Sequence, residues 1–150
     1  MKIEGAYSIA APRETVWQYL MSPESLAHAL LGCEKLEPAP DGSFQAVLKI
    51  GIGAVKGTYQ GRIELADVVP PVSYRMKVEG KGAGGFVSGE GTLSLSADNQ
   101  GGTKIQYSGE AQVGGLIASV GQRLVQATAR QVVNQFFQAF SKQVLSPSAK

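Results

Sequence analysis

Leu116 to Val144, LIASVGQRLVQATARQVVNQFFQAFSKQV, is the stretch whose reading decides the fold. It contains no proline, follows Gly114-Gly115 and stops short of Ser146-Pro147, so its edges carry the start and stop signals of one long helix. At about 1.5 Å per residue that helix would run roughly 43 Å, more than one small domain needs for simple packing. On a 3.6-residue wheel, Leu116, Ile117, Val120, Leu124 and Thr128 share a face. Val132, Val133, Phe136, Phe137, Phe140 and Val144 fall nearly opposite, with the change of side near Ala129. A straight helix drifts only about 20° per heptad against a fixed stripe. The pattern therefore predicts that the two halves face different surroundings, or that the helix bends.

Upstream of this helix, Ser43 to Val113 reads as consecutive strands, separated by turn-rich stretches at Pro38 to Gly42, Ile52 to Ala54, Pro70-Pro71, Gly80 to Gly85 and Asp98 to Gly102. Connections this short make antiparallel neighbours. By parity, Val55, Tyr59, Ile63 and Leu65 share a face, as do Tyr74, Met76 and Val78, then Val87, Leu93 and Leu95, then Thr103, Ile105, Tyr107, Ala111 and Val113. The alternate positions carry lysine, arginine, glutamine and glutamate, so the other face of the sheet is wet. Gly57, Gly61, Gly80, Gly89, Gly91 and Gly109 all fall on the apolar face. A strand glycine marks a bend, a bulge or a close approach. Here the approaching group is either the long helix, lying tight on the sheet, or an apolar molecule held in the space.

At the start of the chain, Ile3, Tyr7 and Ile9 alternate with Lys2, Glu4 and Ser8, the period of a half-buried strand. Pro12 suits the first turn of a helix whose apolar positions are Val16, Trp17, Leu20 and Met21. Ser22-Pro23 caps a second short helix that buries Leu26, Leu30 and Leu31 and ends at Gly32. One domain over residues 1–145 with a short polar tail at 146–150 accounts for the whole chain.

Composition narrows the function. The 150 residues are enough for a core, and the net charge of +2 is spread along the chain, giving no electrostatic footprint for nucleic acid. A lone Cys33 and a lone His28 assemble neither a disulfide nor a Cys/His zinc site, and both read as structural residues. Neither a secretory signal nor an apolar run near the roughly 18 residues of a membrane span is visible, so a cytoplasmic protein is expected. GKGAGG (Gly80 to Gly85) has the G-x-G-x-x-G spacing, but Phe86 onward alternates as a strand instead of opening a helix; the segment is a hairpin tip and no nucleotide loop. No paired inward carboxylates appear, and catalytic, metal and covalent-cofactor residues are therefore set at none. Tyr59, Tyr74 and Tyr107 point inward as core tyrosines, or as hydroxyls offered to a ligand.

The order strand, two short helices, strand meander and long C-terminal helix resembles the START/Bet v 1-like helix-grip superfamily, an α+β fold with about seven antiparallel strands curved around an apolar cavity. Within it the chain resembles the carbon monoxide dehydrogenase G-subunit family. The resemblance is carried by APRETVWQYL (Ala11 to Leu20), SPESLAHALLGCEKLE (Ser22 to Glu37), KIGIGAVKGTYQGRIELADVVPP (Lys49 to Pro71), GGFVSGEGTLSL (Gly84 to Leu95), VGGLIASVGQRL and the later NQFF. Leu31 stands where the family commonly has proline, and the membrane-binding tail of some relatives is not expected in this chain. The resemblance implies a non-enzymatic accessory protein that holds a hydrophobic lipid-like ligand, an isoprenoid quinone being favoured. It also implies service to a CO dehydrogenase-type molybdenum hydroxylase, with peripheral contact at the inner face of the membrane. Two alternatives stay open: a polyketide cyclase or dehydratase-like enzyme on the same fold, and an assembly factor with a filled core. Residues expected to line the cavity are Trp17 and Leu30 from the short helices and Tyr59, Gly61, Tyr74, Met76, Val87, Gly89, Gly91, Tyr107 and Gly109 from the sheet. Leu116, Val120 and Leu124 are expected from the long helix.

Overall fold

A computed structural model describes residues 1–30, 32–50 and 56–145. In chain order the elements are β1 (Lys2–Ile9), α1 (Arg13–Leu20), α2 (Pro23–Ala29), β2 (Cys33–Pro38), β3 (Phe44–Ile50) and β4 (Gly57–Val69). They continue with β5 (Ser73–Gly82), β6 (Gly85–Ala97), β7 (Thr103–Gly114), α3 (Leu116–Ser119) and α4 (Gln122–Leu145). The seven strands form one antiparallel sheet in the order β1-β7-β6-β5-β4-β3-β2, so the meander from β2 to β7 is closed on one side by the first strand. Val55, Leu31, the Ile52 to Ala54 turn and the 146–150 tail lie outside the described residues.

Local chemistry sets the short elements. Ser22 Oγ accepts from the Ser25 amide at 3.3 Å and Pro23 occupies the first position of α2, as expected of a capped helix start. Pro12 stands one residue earlier than expected, as the residue preceding α1. Helix α2 buries Ser25 and Ala29, while Leu26 and Leu30 are only half-buried. The reason is the partner: Ser25 Oγ donates to Gln143 Oε1 of α4 at 2.9 Å, which turns the small-residue face inward. Gly32 takes a φ of +76°, and a Cβ there would sit 1.9 Å from the Lys49 carbonyl oxygen, so only glycine fits the passage into β2.

The stretch expected as one helix is two. The break falls at Val120-Gly121, where Gly121 adopts φ +102°, and it leaves α3 as a single turn. Breaking the helix resets its phase: α4 begins by burying Val125 and Thr128, and Leu124 remains 50% exposed. Further along, α4 buries Phe137, Phe140 and Val144, so the change of side persists inside the continuous helix. With 24 residues, α4 is about 36 Å long, enough to span the sheet.

The change of side matches two separate apolar clusters. The larger one gathers Ile9, Val16, Trp17, Leu20, Tyr74, Leu93, Leu95 and Ile105 around Phe137, Phe140 and Val144. The smaller one consists of Tyr59, Ile117 and Val125, with Met1, Ile50, Val87 and Val113 packed against it. Each half of α4 anchors to its own cluster.

Candidate functional site

Between the two clusters lies a strip of inner sheet face. Cross-strand register places Ile63, Val78, Gly89 and Ala111 in one row, and Ala46, Gly61, Gly80, Val87 and Val113 in the next. Ile63, Val78, Gly89 and Ala111 are each only half-buried and belong to neither cluster. Because α4 gives Val125 to one cluster and Phe137 to the other, its intervening turns cross this strip.

The glycines divide into two kinds. A Cβ built at Gly80 would meet only the Gln60 carbonyl oxygen, at 4.0 Å; one at Gly61 would meet the carbonyl oxygens of Glu79 (3.2 Å) and Ala46 (4.0 Å). Among the described residues no side chain comes within 4 Å of either Cβ position, although the Glu79 carbonyl oxygen is tight against the one at Gly61. Gly91 and Gly109 are register partners, and a Cβ on Gly91 would fall 2.6 Å from the Ser108 carbonyl oxygen and 2.9 Å from Gly109 Cα. Gly89 is similarly close to the Glu110 carbonyl oxygen (3.1 Å) and to Ala111. These three let β6 and β7 come together, so the close approach is strand to strand and not helix to sheet. Gly57 adopts φ +149°, a backbone requirement.

The other residues expected at the site fall into four places. Trp17 and Tyr74 meet edge to face with centroids 5.8 Å apart, Tyr107 stacks on Phe137 at 5.1 Å, and Met76 packs on the same large cluster. Leu30 is half-buried where α2 ends. Tyr59 and Val87 close the strip at its other end, in the small cluster. Leu116, Val120 and Leu124 stand on the outer surface, 72%, 46% and 50% exposed, not on the inner face where a continuous wheel puts them; only Ile117 of α3 turns inward.

Polar chemistry inside the layer is sparse. Burial pushes the Tyr74 phenol well above its ordinary value. Burial also raises that of Tyr59, whose hydroxyl oxygen is buried without a hydrogen-bond partner. Among the described residues the other buried unpartnered side-chain atom is Gln135 Oε1 on α4. An orphaned buried hydroxyl costs about 1–3 kcal/mol, which a protein seldom carries without a use. Parity identified Tyr59 as inward but not as partnerless, since that depends on what α3 brings over it. Among the described residues no cluster of His, Cys, Asp and Glu is arranged to hold a metal. Cys33 is a free, half-buried thiol raised by burial, and His28 is exposed in the last turn of α2.

Outside the layer, two shallow clefts lie on the wet face of the sheet. One of about 270 Å³ runs between the Asp41 to Ser43 turn and Glu64, Arg75 and Lys77; the other, of about 470 Å³, lies over Glu4, Ala6, Thr92, Ser94 and Gln106. At the α3 end, Phe86 (45% exposed) lies across Gly114, and Leu116, Val120 and Leu124 are exposed apolar residues in and just after α3. The stretches Gly80 to Gly89 and Ala111 to Lys150 contain Lys81, Arg123, Arg130, Lys142 and Lys150 but no aspartate or glutamate. No described helix is long and apolar enough to cross a membrane.

The seven-stranded antiparallel sheet with two short helices and a long C-terminal helix defines a START/Bet v 1-like helix-grip protein. A START superfamily protein from Mycobacterium smegmatis superposes with TM-score 0.72 at 12% identity, over 95% of this chain and 96% of that one. Ara h 8.0201 superposes with TM-score 0.70 at 16% identity, over 97% of each chain. A conserved protein from Geobacillus kaustophilus is more similar: TM-score 0.93, 36% identity, covering 96% of this chain and 95% of that chain. The chain belongs to the carbon monoxide dehydrogenase G-subunit (CoxG) family, whose model matches residues 5–145. No curated protein matches in sequence.

Proposed function

We propose that this protein is a non-enzymatic carrier that holds a lipid-like molecule, with an isoprenoid quinone favoured, in the strip between the sheet and α4. It exchanges that molecule between the inner face of the cell membrane and a CO dehydrogenase-type molybdenum hydroxylase. The observation that carries the reading is that no described side chain comes within 4 Å of a Cβ at Gly61 or Gly80, in a strip floored by Ile63, Val78, Gly89 and Ala111 and bounded at both ends by apolar clusters. Such a space suits an apolar body, since enclosing it removes hydrocarbon from water at about 25 cal/mol per Å². Membership of the CoxG family supports the choice of enzyme partner. The exposed Phe86, Leu116, Val120 and Leu124, with Lys81 the register partner of Phe86 and Arg123 next to Leu124, support transient contact with an anionic lipid surface.

The non-catalytic part of the reading is supported by where the charges stand: Glu79, Glu90 and Glu110 are exposed on the wet face, and the inward tyrosines have aromatic or aliphatic neighbours. The test is a transfer assay from vesicles carrying a long-chain quinone to the purified hydroxylase, followed by reduction of the quinone. Transfer accelerated in proportion to this protein is expected. Equal transfer with and without it contradicts the carrier role, and turnover of a small substrate by the protein alone contradicts the non-enzymatic one.

A further inference from the structure

Tyr59 is 5% exposed, its hydroxyl oxygen has no hydrogen-bond partner among the described residues, and the hydrophobic residues of its cluster are Ile117, Val125, Met1, Ile50, Val87 and Val113. The ring passes over Gly82, and the hydroxyl lies 3.6 Å from a Cβ built on Gly84, where Ile117 Cγ1 is also within 3.8 Å. Glycine at positions 82 and 84 thus keeps Cβ atoms off the phenol, and Ile117 is the buried side chain of α3 in its cluster. We propose that the Tyr59 hydroxyl is the polar recognition group of the cavity and donates a hydrogen bond to a neutral, carbonyl-type oxygen at the head of the apolar ligand. The proposal rests on the carrier reading above and adds the ligand's head-group chemistry.

Three features direct it. A phenol that burial keeps protonated offers a donor, so the matching ligand atom is an acceptor. The hydrophobic side chains packed around Tyr59 suit a head without net charge, and the Met1 ammonium of the same cluster already donates to the Ala111 carbonyl oxygen at 3.0 Å. Entry is geometrically simple: α3 is a four-residue helix between Gly115 (φ +77°) and Gly121 (φ +102°), and the Ile117 amide ties it to the Gly84 carbonyl at 2.9 Å. The ligand oxygen takes the place that Ile117 holds in this state.

The experiment compares decylubiquinone with decylbenzene, which has the same tail and no carbonyl, on wild-type protein and Tyr59→Phe. Quinone binding is expected to weaken about tenfold in the variant while decylbenzene binding stays within about twofold, the size of one lost hydrogen bond. The melting temperature should hold or rise, because the substitution removes the orphaned group. On the wild type alone, the infrared carbonyl stretch of the bound quinone should shift to lower frequency, a readout that needs no variant. Unchanged quinone affinity in Tyr59→Phe, equal weakening of both probes, or an unshifted carbonyl band overturns the role of Tyr59 and leaves the carrier reading standing. Failure of the wild type to bind either probe overturns both.

Discussion

At the β1 end of the layer, Phe137 stacks on Tyr7 at 5.5 Å and on Tyr107 at 5.1 Å, and Phe136 bridges Phe137 and Phe140 in the same ring system. At the α3 end, among the described residues, the small cluster buries only Tyr59, Ile117 and Val125, and one of the three keeps an unsatisfied hydroxyl. One sheet and one helix serve both ends, so the difference comes from side chains: aromatic rings from α4 and β7 on one side, glycines and a one-turn helix on the other. A dense cluster suits a permanent anchor, since close-packed interiors resist rearrangement. The sparse end, closed by few apolar contacts and flanked by Gly115 and Gly121, has the make-up of a region that opens locally at low cost.

Core truncation at each end gives the largest expected effect. Phe140→Ala, at a position with no solvent exposure, should destabilise by about 3–5 kcal/mol in urea unfolding. Ile117→Ala should cost about 2 kcal/mol, at the low end for such a change, because α3 can settle into the space. Equal losses at the two positions would remove the contrast between anchor and gate. Hydrogen exchange sharpens it: amides of α3 and the first turns of α4 should exchange well before those around Phe137 to Val144, and become protected on ligand or vesicle binding. Uniform protection along α4 would count against the gate.

A smaller effect is expected on the surface. Leu116→Asp should leave stability within about 0.5 kcal/mol, as for other exposed positions, yet reduce sedimentation with phosphatidylglycerol vesicles several-fold. Lys81→Glu should act through charge, by about 1 kcal/mol that vanishes in high salt. Retained binding by both variants would move the docking surface elsewhere.

The smallest effect belongs to the wet face. Hydrogen bonds from the Ser43 hydroxyl and amide, with help from Arg62, hold the Asp41 carboxyl at about 2, below its ordinary 3.8. Its contribution is complete above about 3.8 and is lost as pH falls through about 2. A small stability difference between wild type and Asp41→Asn should therefore shrink across that window and be flat from there to neutrality, since exposed pairs are worth little.

Most of the fold was legible because period and punctuation agree. Alternation from Lys2 to Ile9, the Ser22-Pro23 cap and the strand parities around Tyr59, Tyr74 and Tyr107 each follow from local geometry and reappear in the structure. The helix break did not, because a single Gly121 inside an apolar period is compatible with a continuous helix, and the change of stripe lies further on, inside α4. That continuous wheel carried Leu116 and Val120 to the wrong surface, since one residue out of helical register rotates everything before it; Leu124 is exposed within α4 itself, beside the buried Val125. Glycine parity gave the face but not the purpose: no described side chain comes within 4 Å of a Cβ at Gly61 or Gly80, whereas Gly89, Gly91 and Gly109 close the distance between strands. The orphaned Tyr59 hydroxyl was beyond any one-dimensional reading, as its neighbours come from β4, α3 and α4.

The open strip is most directly tested by native mass spectrometry of wild-type protein and Gly80→Leu, each released from cells expressing the hydroxylase and extracted for lipid. Gly80 has the freest Cβ position on the inner face, so leucine there fills the strip without strain in the sheet. A single apolar molecule bound to the wild type and lost from a folded Gly80→Leu is the predicted result. Equal occupancy in both proteins, or none in either, would contradict the strip as a binding site.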